Sequence, residues 1–281
     1  LFYDPILSKD NTISCASCHL QATGFTHVDH ELSHGIEGKI GTRNSLTLQN
    51  LAWNKHFMWD GGVNHLDVQA LAPISSEVEM NESLENVIAK LQQSEKYQEL
   101  FYKAFGTKNI TGQLTLKSIS QFVVSLTTSN SKYDKVVRKE VKFTKMEQKG
   151  YDLFKKYCAS CHKEPLLTSN SFENNGLALD TTLNDFGRMK ITQNSKDSLK
   201  FKVPTLRNIE FTFPYMHDGR FKTLNEVVKH YNSGVQQNKT TAKQLQKPMN
   251  LSDNERTELV TFLKTLTDKE FLFNSKYSYP K

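Results

Sequence analysis

The pentapeptide CASCH occupies residues 15–19 and returns letter for letter at 158–162. The two copies use all four cysteines of the chain. Four cysteines can form two disulfides, in any of three connectivities, or a zinc site. A zinc ribbon brings its CxxC pairs within roughly 15–20 residues of each other, and these pairs lie much further apart. Each pair is also followed at once by histidine, giving Cys15, Cys18, His19 and Cys158, Cys161, His162. CxxCH is the attachment signature of c-type haem. Two thiols three positions apart fall on one face of a short helical turn, where both reach the vinyl groups of one porphyrin. The next residue then offers an imidazole to the iron as proximal ligand. Two matches that consume every cysteine predict two covalently bound haem c groups.

A second repeat lies downstream of each motif. TLQNLAWNKHFMWDGGVNHL (47–66) aligns without a gap with TLRNIEFTFPYMHDGRFKTL (205–224). Thr47 meets Thr205, Asn50 meets Asn208, Met58 meets Met216, and Asp60–Gly61 meets Asp218–Gly219. Inside this frame Trp59 faces His217, so the halves share a plan and differ in use.

The elements that must hold these residues read as helices. Apolar residues recur at helical spacing over 82–105 and 114–127. Capping boxes stand at Thr144–Glu147, Thr223–Glu226 and Ser252–Glu255. The first opens a helix running into the second CASCH, and the last opens a helix with Leu259, Phe262, Leu263 and Leu266 on one face. Strand signals are few. The expected fold is mainly α, with two cytochrome c-like haem domains in one chain. The polar stretch 127–135 is the natural joint, dividing the chain into units 1–130 and 131–281.

Composition sets outer limits. The 281 residues are 37% hydrophobic and 23% charged, an ordinary globular balance. No apolar run approaches the roughly 18 residues of a membrane helix, so no membrane-spanning segment is expected. The net charge of +6 comes with scattered lysines, densest between Lys132 and Lys156. That density reads as a solvated helix face or a patch for an acidic partner. It does not form a nucleic-acid module. The chain opens at Leu1 rather than Met, and a processed chain whose missing segment carried an export signal is expected.

The motifs FYDPILS, SCASCH, SHG, RNSLTLQN, FMWDGG, Gln69, EVEM, CASCH, FKVPTLRNIE, PYMHDGRFKTL and FLKTLT run in order along almost the whole chain. Together they closely resemble the bacterial dihaem cytochrome c peroxidase family, which includes the MauG-type enzymes. The resemblance implies a peroxidatic haem in unit 1–130 with His19 proximal, and an electron-transfer haem in unit 131–281 with His162 proximal. It implies that His34 closes the sixth position of the first iron at rest, although His27 and His30 compete with it as residue types. Glu79 matches the acid–base carboxylate, Gln69 its distal companion and Trp59 the tryptophan between the haems. Chemistry alone does not choose Glu79 over Glu77, and Trp59 also suits core filling. His217 takes a structural place beside the second haem through hydrogen bonding. Asn44 and the carbonyls of Thr212 and Pro214 match a calcium site between the domains.

One position departs from the peroxidases that use methionine on the second iron. It falls on Tyr231, as in MauG-type enzymes, with Met249 as the alternative ligand and helix packing as the plain reading of Tyr231. A thioether favours the reduced iron, whereas a phenolate favours the oxidised states; axial ligands span roughly 0.8 V. The resemblance implies reduction of hydrogen peroxide to water with electrons from a small cytochrome c or cupredoxin. The competing readings are a MauG-like enzyme that oxidises side chains of a partner protein through high-valent haems, and a plain electron carrier. Tyr231 favours the MauG-like reading, His34 opposes it, and Glu79 with Gln69 opposes the carrier. Covalent haem c attachment in bacteria is completed outside the cytoplasm, so the expected location is the periplasm; members of the resembled family commonly form homodimers, and the sequence leaves the oligomeric state open.

Overall fold

Residues 1–280 are described by a computed structural model. The chain is mainly helical, with one two-stranded antiparallel sheet that pairs Phe172–Glu173 with Phe201–Lys202. No helix among the described residues is long and apolar enough to cross a membrane.

In the first half, three helices (Leu84–Gln92, Glu95–Phe105 and Gly112–Ser125) bury Val87, Leu91, Tyr97, Phe101, Leu116 and Ile119 in one core. The periodic stretch 82–105 forms two successive helices. Ser94 interrupts it by accepting the Tyr97 amide as an N-cap, which a serine does better than it extends a helix.

The second half is built around Lys145–Tyr157 and Asp253–Lys264. All three predicted capping boxes form, on Thr144, Thr223 and Ser252. Gly150 lets the two long helices cross closely, since a Cβ there would stand 2.0 Å from the Glu258 carbonyl oxygen. Phe154 and Phe262 fill the crossing with ring centroids 5.1 Å apart. The first helix is therefore anchored along its length and delivers Cys158 at its C-cap. The polar stretch 127–135 is packed, not slack. Thr128, Ser131, Tyr133 and Asp134 are buried, and Asp134 receives both Arg207 terminal nitrogens, at 2.9 and 2.8 Å.

A third cluster crosses between the halves, where Phe271, Leu272 and Tyr277 pack on Phe2, Phe25 and Phe57.

The repeat seen in sequence is also a repeat in space. Phe57 pairs with Val63 and Tyr215 with Phe221 as matching bridges. Met58 and Met216, Asn50 and Asn208, and Gly61 and Gly219 all hold positive φ. The two copies also meet each other. Gln49 Nε2 donates to the Arg207 carbonyl at 2.6 Å across a separation of 158 residues, the repeat offset itself. The Asn44 amide donates to the His217 carbonyl and the Lys202 amide to the Trp59 carbonyl, each at 2.7 Å. Since Asn44 aligns with Lys202 and Trp59 with His217, these bonds are reciprocal. Contact between equivalent residues is the mark of an isologous interface. The halves therefore meet about a pseudo-two-fold axis that passes between Trp59 and His217.

Candidate active site

Both CxxCH motifs close the same local bond. His19 N–H donates to the Cys15 carbonyl at 3.0 Å and His162 N–H to the Cys158 carbonyl at 2.9 Å. The first motif is a short helix, Cys15–Cys18, and the second is a turn at a helix end. No disulfide joins the four cysteines. Among the described residues no group of three or more histidine, cysteine or acidic side chains converges as a metal site.

The surroundings of the two imidazoles match. His19 Nδ1 lies 2.8 Å from the Phe25 carbonyl oxygen, and His162 Nδ1 lies 3.1 Å from that of Leu167. A ring that donates from Nδ1 leaves Nε2 free for a metal. Burial lowers both pKa values, His162 to about 4, so both rings are neutral and suited to iron. Phe25 and Leu167 reach these positions with φ of 61° and 56°. The repeated threonines hold the brackets: Thr47 Oγ1 donates to the Gly24 carbonyl and Thr205 Oγ1 to that of Leu166, the latter at 2.7 Å. Sequence reading noted the paired threonines but not this role, and the repeat was the signal that could have revealed it.

Around His162 the walls recede into a cavity of about 210 Å³. Cys158 and Cys161 stand on its wall, and the lining is mostly apolar, including Leu224, Val228 and Leu263. A haem edge needs such a surface, with two thiols and a neutral imidazole, so these residues fit the group. Tyr231 and Met249 both line this cavity. Tyr231 sits in a π-helical turn, His230–Gly234, that follows Leu224–Lys229. Such turns recur at functional sites. Burial pushes its phenol up to about 12, with Cys158 and Cys161 near enough to add to the effect. Trp59, Asn44, Thr212 and Pro214 reach the same cavity.

Trp59 is buried, and its indole N–H donates to the Asn44 carbonyl at 2.8 Å. Its ring meets His217 edge-on with centroids 6.5 Å apart. His217 lies where expected, beside the second motif, but its ring is held by stacking on Phe201 at 3.7 Å rather than by a hydrogen bond. Its backbone carbonyl supplies the bond, to Asn44. Burial lowers the His217 pKa to about 4.

Near the first motif, the loops carrying SHG and EVEM touch. The Ile36 amide donates to the Glu79 carbonyl at 2.8 Å. Only glycine fits at 35, where a Cβ would lie 2.5 Å from Glu79 Cα. Cys18 Sγ contacts the His34 carbonyl at 3.4 Å. Glu79 is half-buried while Glu77 is exposed. Burial raises the Glu79 pKa, opposed by a Ser76 hydrogen bond, and its carboxylate is near enough to push the Cys18 thiol up. The His34 ring does not share this space. It stacks on His30 at 3.9 Å, and His30 stacks on His27 at 5.0 Å. Gln69 sends its amide to Met58 Sδ at 3.6 Å and, among the described residues, makes no hydrogen bond to Glu79.

The family model for di-haem cytochrome c peroxidase matches residues 1–142, and that for cytochrome c matches residues 147–267. A cytochrome c551 peroxidase of Nitrosomonas europaea is 36% identical over 95% of this chain and 78% of that protein. The chain belongs to the di-haem cytochrome c peroxidase and MauG family. The methylamine utilization protein MauG of Methylorubrum extorquens is 33% identical over 95% of this chain and 76% of that protein. A MauG-like protein associated with microbial copper homeostasis superposes with a TM-score of 0.92 at 30% identity, over 100% of this chain and 91% of that one. The family and the two CxxCH brackets together assign this member two haem c groups.

Proposed function

We propose that this chain reduces hydrogen peroxide to water, taking electrons one at a time from a small cytochrome c or a cupredoxin. The observation that carries this reading is the half-buried Glu79, whose backbone packs against Gly35 and whose carboxyl lies close enough to Cys18 to act on its thiol. When bound, haem supplies iron that exchanges electrons with peroxide. Cleavage of the O–O bond consumes two electrons and two protons and yields two waters. Glu79 takes a proton from one peroxide oxygen and returns it to the other, which then leaves as water. Burial raises its pKa, which makes it a better proton acceptor than an exposed carboxylate. Unit 1–130 is the peroxidatic half and unit 131–281 the electron store, with Trp59 between them. Gln69 orients the distal side, and His34 gates it.

A calcium ion at Asn44, Thr212 and Pro214 would couple the halves. In support, Asn44 uses its amide nitrogen on the Glu31 carbonyl, and its Oδ1 accepts no hydrogen bond among the described residues. Calcium takes such carbonyl and amide oxygens. Bacterial haem c attachment is completed outside the cytoplasm, which makes the periplasm the working compartment. A homodimer is the expected assembly.

Tyr231 favours a second reading, in which the chain oxidises side chains of a partner protein at a distance, as a MauG-type enzyme. Its place on the cavity wall with Cys158 and Cys161 supports a tyrosine oxygen as ligand, and the stacking of His34 on His30 is consistent with an ungated first site. Mixing peroxide with fully oxidised and half-reduced protein, in the presence of reduced small cytochrome c, separates the two. Donor turnover only after half-reduction supports the gated peroxidase. Rapid reaction of the oxidised form with little donor turnover replaces it by the second reading.

A further inference from the structure

Lys202 is an anomaly in the second half. It is only 5% exposed, and it lies on the wall of the cavity that holds Cys158, Cys161 and His162. Strand pairing with Phe172 and the bond from its amide to Trp59 fix its backbone. Its ammonium has no acidic partner among the described residues, and burial alone pushes its pKa down to about 8. The one carboxylate along that wall, Glu173, accepts the Ser171 hydroxyl at 3.2 Å instead. A buried cation without a counter-charge is costly and is not retained for packing, since an apolar side chain of similar volume would serve better. The equivalent position of the first half is Asn44, which is neutral.

We propose that Lys202 is the counter-charge for a propionate carboxylate of the second haem and raises the reduction potential of that haem alone. This rests on haem c being attached at Cys158 and Cys161. A haem brings two carboxylates into a largely apolar cavity, where an ammonium pairs with one of them more strongly than in water. A fixed positive charge beside the porphyrin also favours the reduced iron, which carries one positive charge fewer. Lys202 is thus a positioning residue, acting through the haem rather than on peroxide.

The test is a spectroelectrochemical titration of the holoprotein, with covalent haem counted in every sample. Lys202→Met is expected to keep two haems and to lower the second couple by about 59 mV, a tenfold change for one electron, with the first couple unmoved. Lys202→Arg is expected to stay near the wild-type value. An unmoved second couple in Lys202→Met, or an equal fall in Lys202→Arg, overturns the proposal. Absence of haem at Cys158 and Cys161 in the wild type would instead overturn the reading beneath it. Should Lys202→Met fail to accumulate, a crystal structure of the wild-type holoprotein decides: Nζ within about 4 Å of a propionate oxygen sustains the pairing, and propionates turned elsewhere overturn it.

Discussion

Trp59 and His217 are the same position in two copies of one frame, and they meet across the axis that relates the copies. Each copy turns its chain on a positive-φ methionine and glycine, and each sets a backbone carbonyl against its CxxCH histidine while the repeated threonine holds the carbonyl one residue before it. The backbone is shared because haem attachment imposes the same demands twice. What differs lies on and beside the axis: tryptophan against histidine, and Asn44 against Lys202. The first half adds a half-buried carboxyl, Glu79, and the second a π-turn that carries Tyr231. Asymmetry of function is thus written into a few side chains on a symmetric scaffold.

The largest test of that asymmetry is Glu79→Gln. It is expected to lower kcat with peroxide by about 10²- to 10⁴-fold, while the haem spectra stay unchanged. A variant with full activity would leave Glu79 without an acid–base role.

The seam between the halves is tested next. Arg43 bridges Asp60 and Asp185, each at 2.6 Å, and the Asp185 side chain is 1% exposed. Asp185→Asn is expected to cost about 3–5 kcal/mol, as when one partner of a buried ion pair is removed, read from chemical denaturation. Burial would raise the Asp185 pKa, but hydrogen bonds and charge from Arg43 outweigh it and hold the carboxyl well below its usual range. A depressed folded pKa contributes stability above the unfolded value of about 3.9. That contribution is lost as pH falls through the folded value. Acid unfolding of Asp185→Asn is therefore expected to show a shallower pH dependence below about pH 4 than the wild type.

Tyr231→Met sharpens the comparison of the second site. The potential of that haem is expected to rise by on the order of 0.1 V or more, with Met249→Leu leaving it in place. The reverse pattern would transfer the ligand role to Met249. The smallest effect is expected from Trp59→Phe, which slows electron exchange between the haems about tenfold, some 1.4 kcal/mol of barrier. Stopped-flow absorbance of the second haem after peroxide addition checks this, and an unchanged rate would leave Trp59 as core filling.

Much of this was legible before any coordinates. The helices followed from apolar period and capping boxes because those signals act within a few residues of each other. The break at Ser94 lies in the polar run 92–96 between two apolar stripes, and the serine N-cap there marks it. The haem motifs were legible because covalent attachment leaves little freedom in spacing. Lys202 was not legible as special, since a lysine in a polar-looking strand is ordinarily solvated. Only burial by distant segments makes it unusual. The His27–His30–His34 stack was equally hidden, because ring planes depend on how the loop folds back.

By itself the sequence determined the family, the two haem attachment points, the helical class and the internal repeat. Each of these is recorded in residues near one another in the chain, or in motifs whose order survives any packing. The tertiary structure alone decided that the copies face each other about a pseudo-two-fold axis, that Glu79 stands against Gly35, and that a lysine is left without an acidic partner on the wall of the cavity around His162. Those outcomes depend on contacts between segments far apart in the chain, and on which side chains lose water when the halves close.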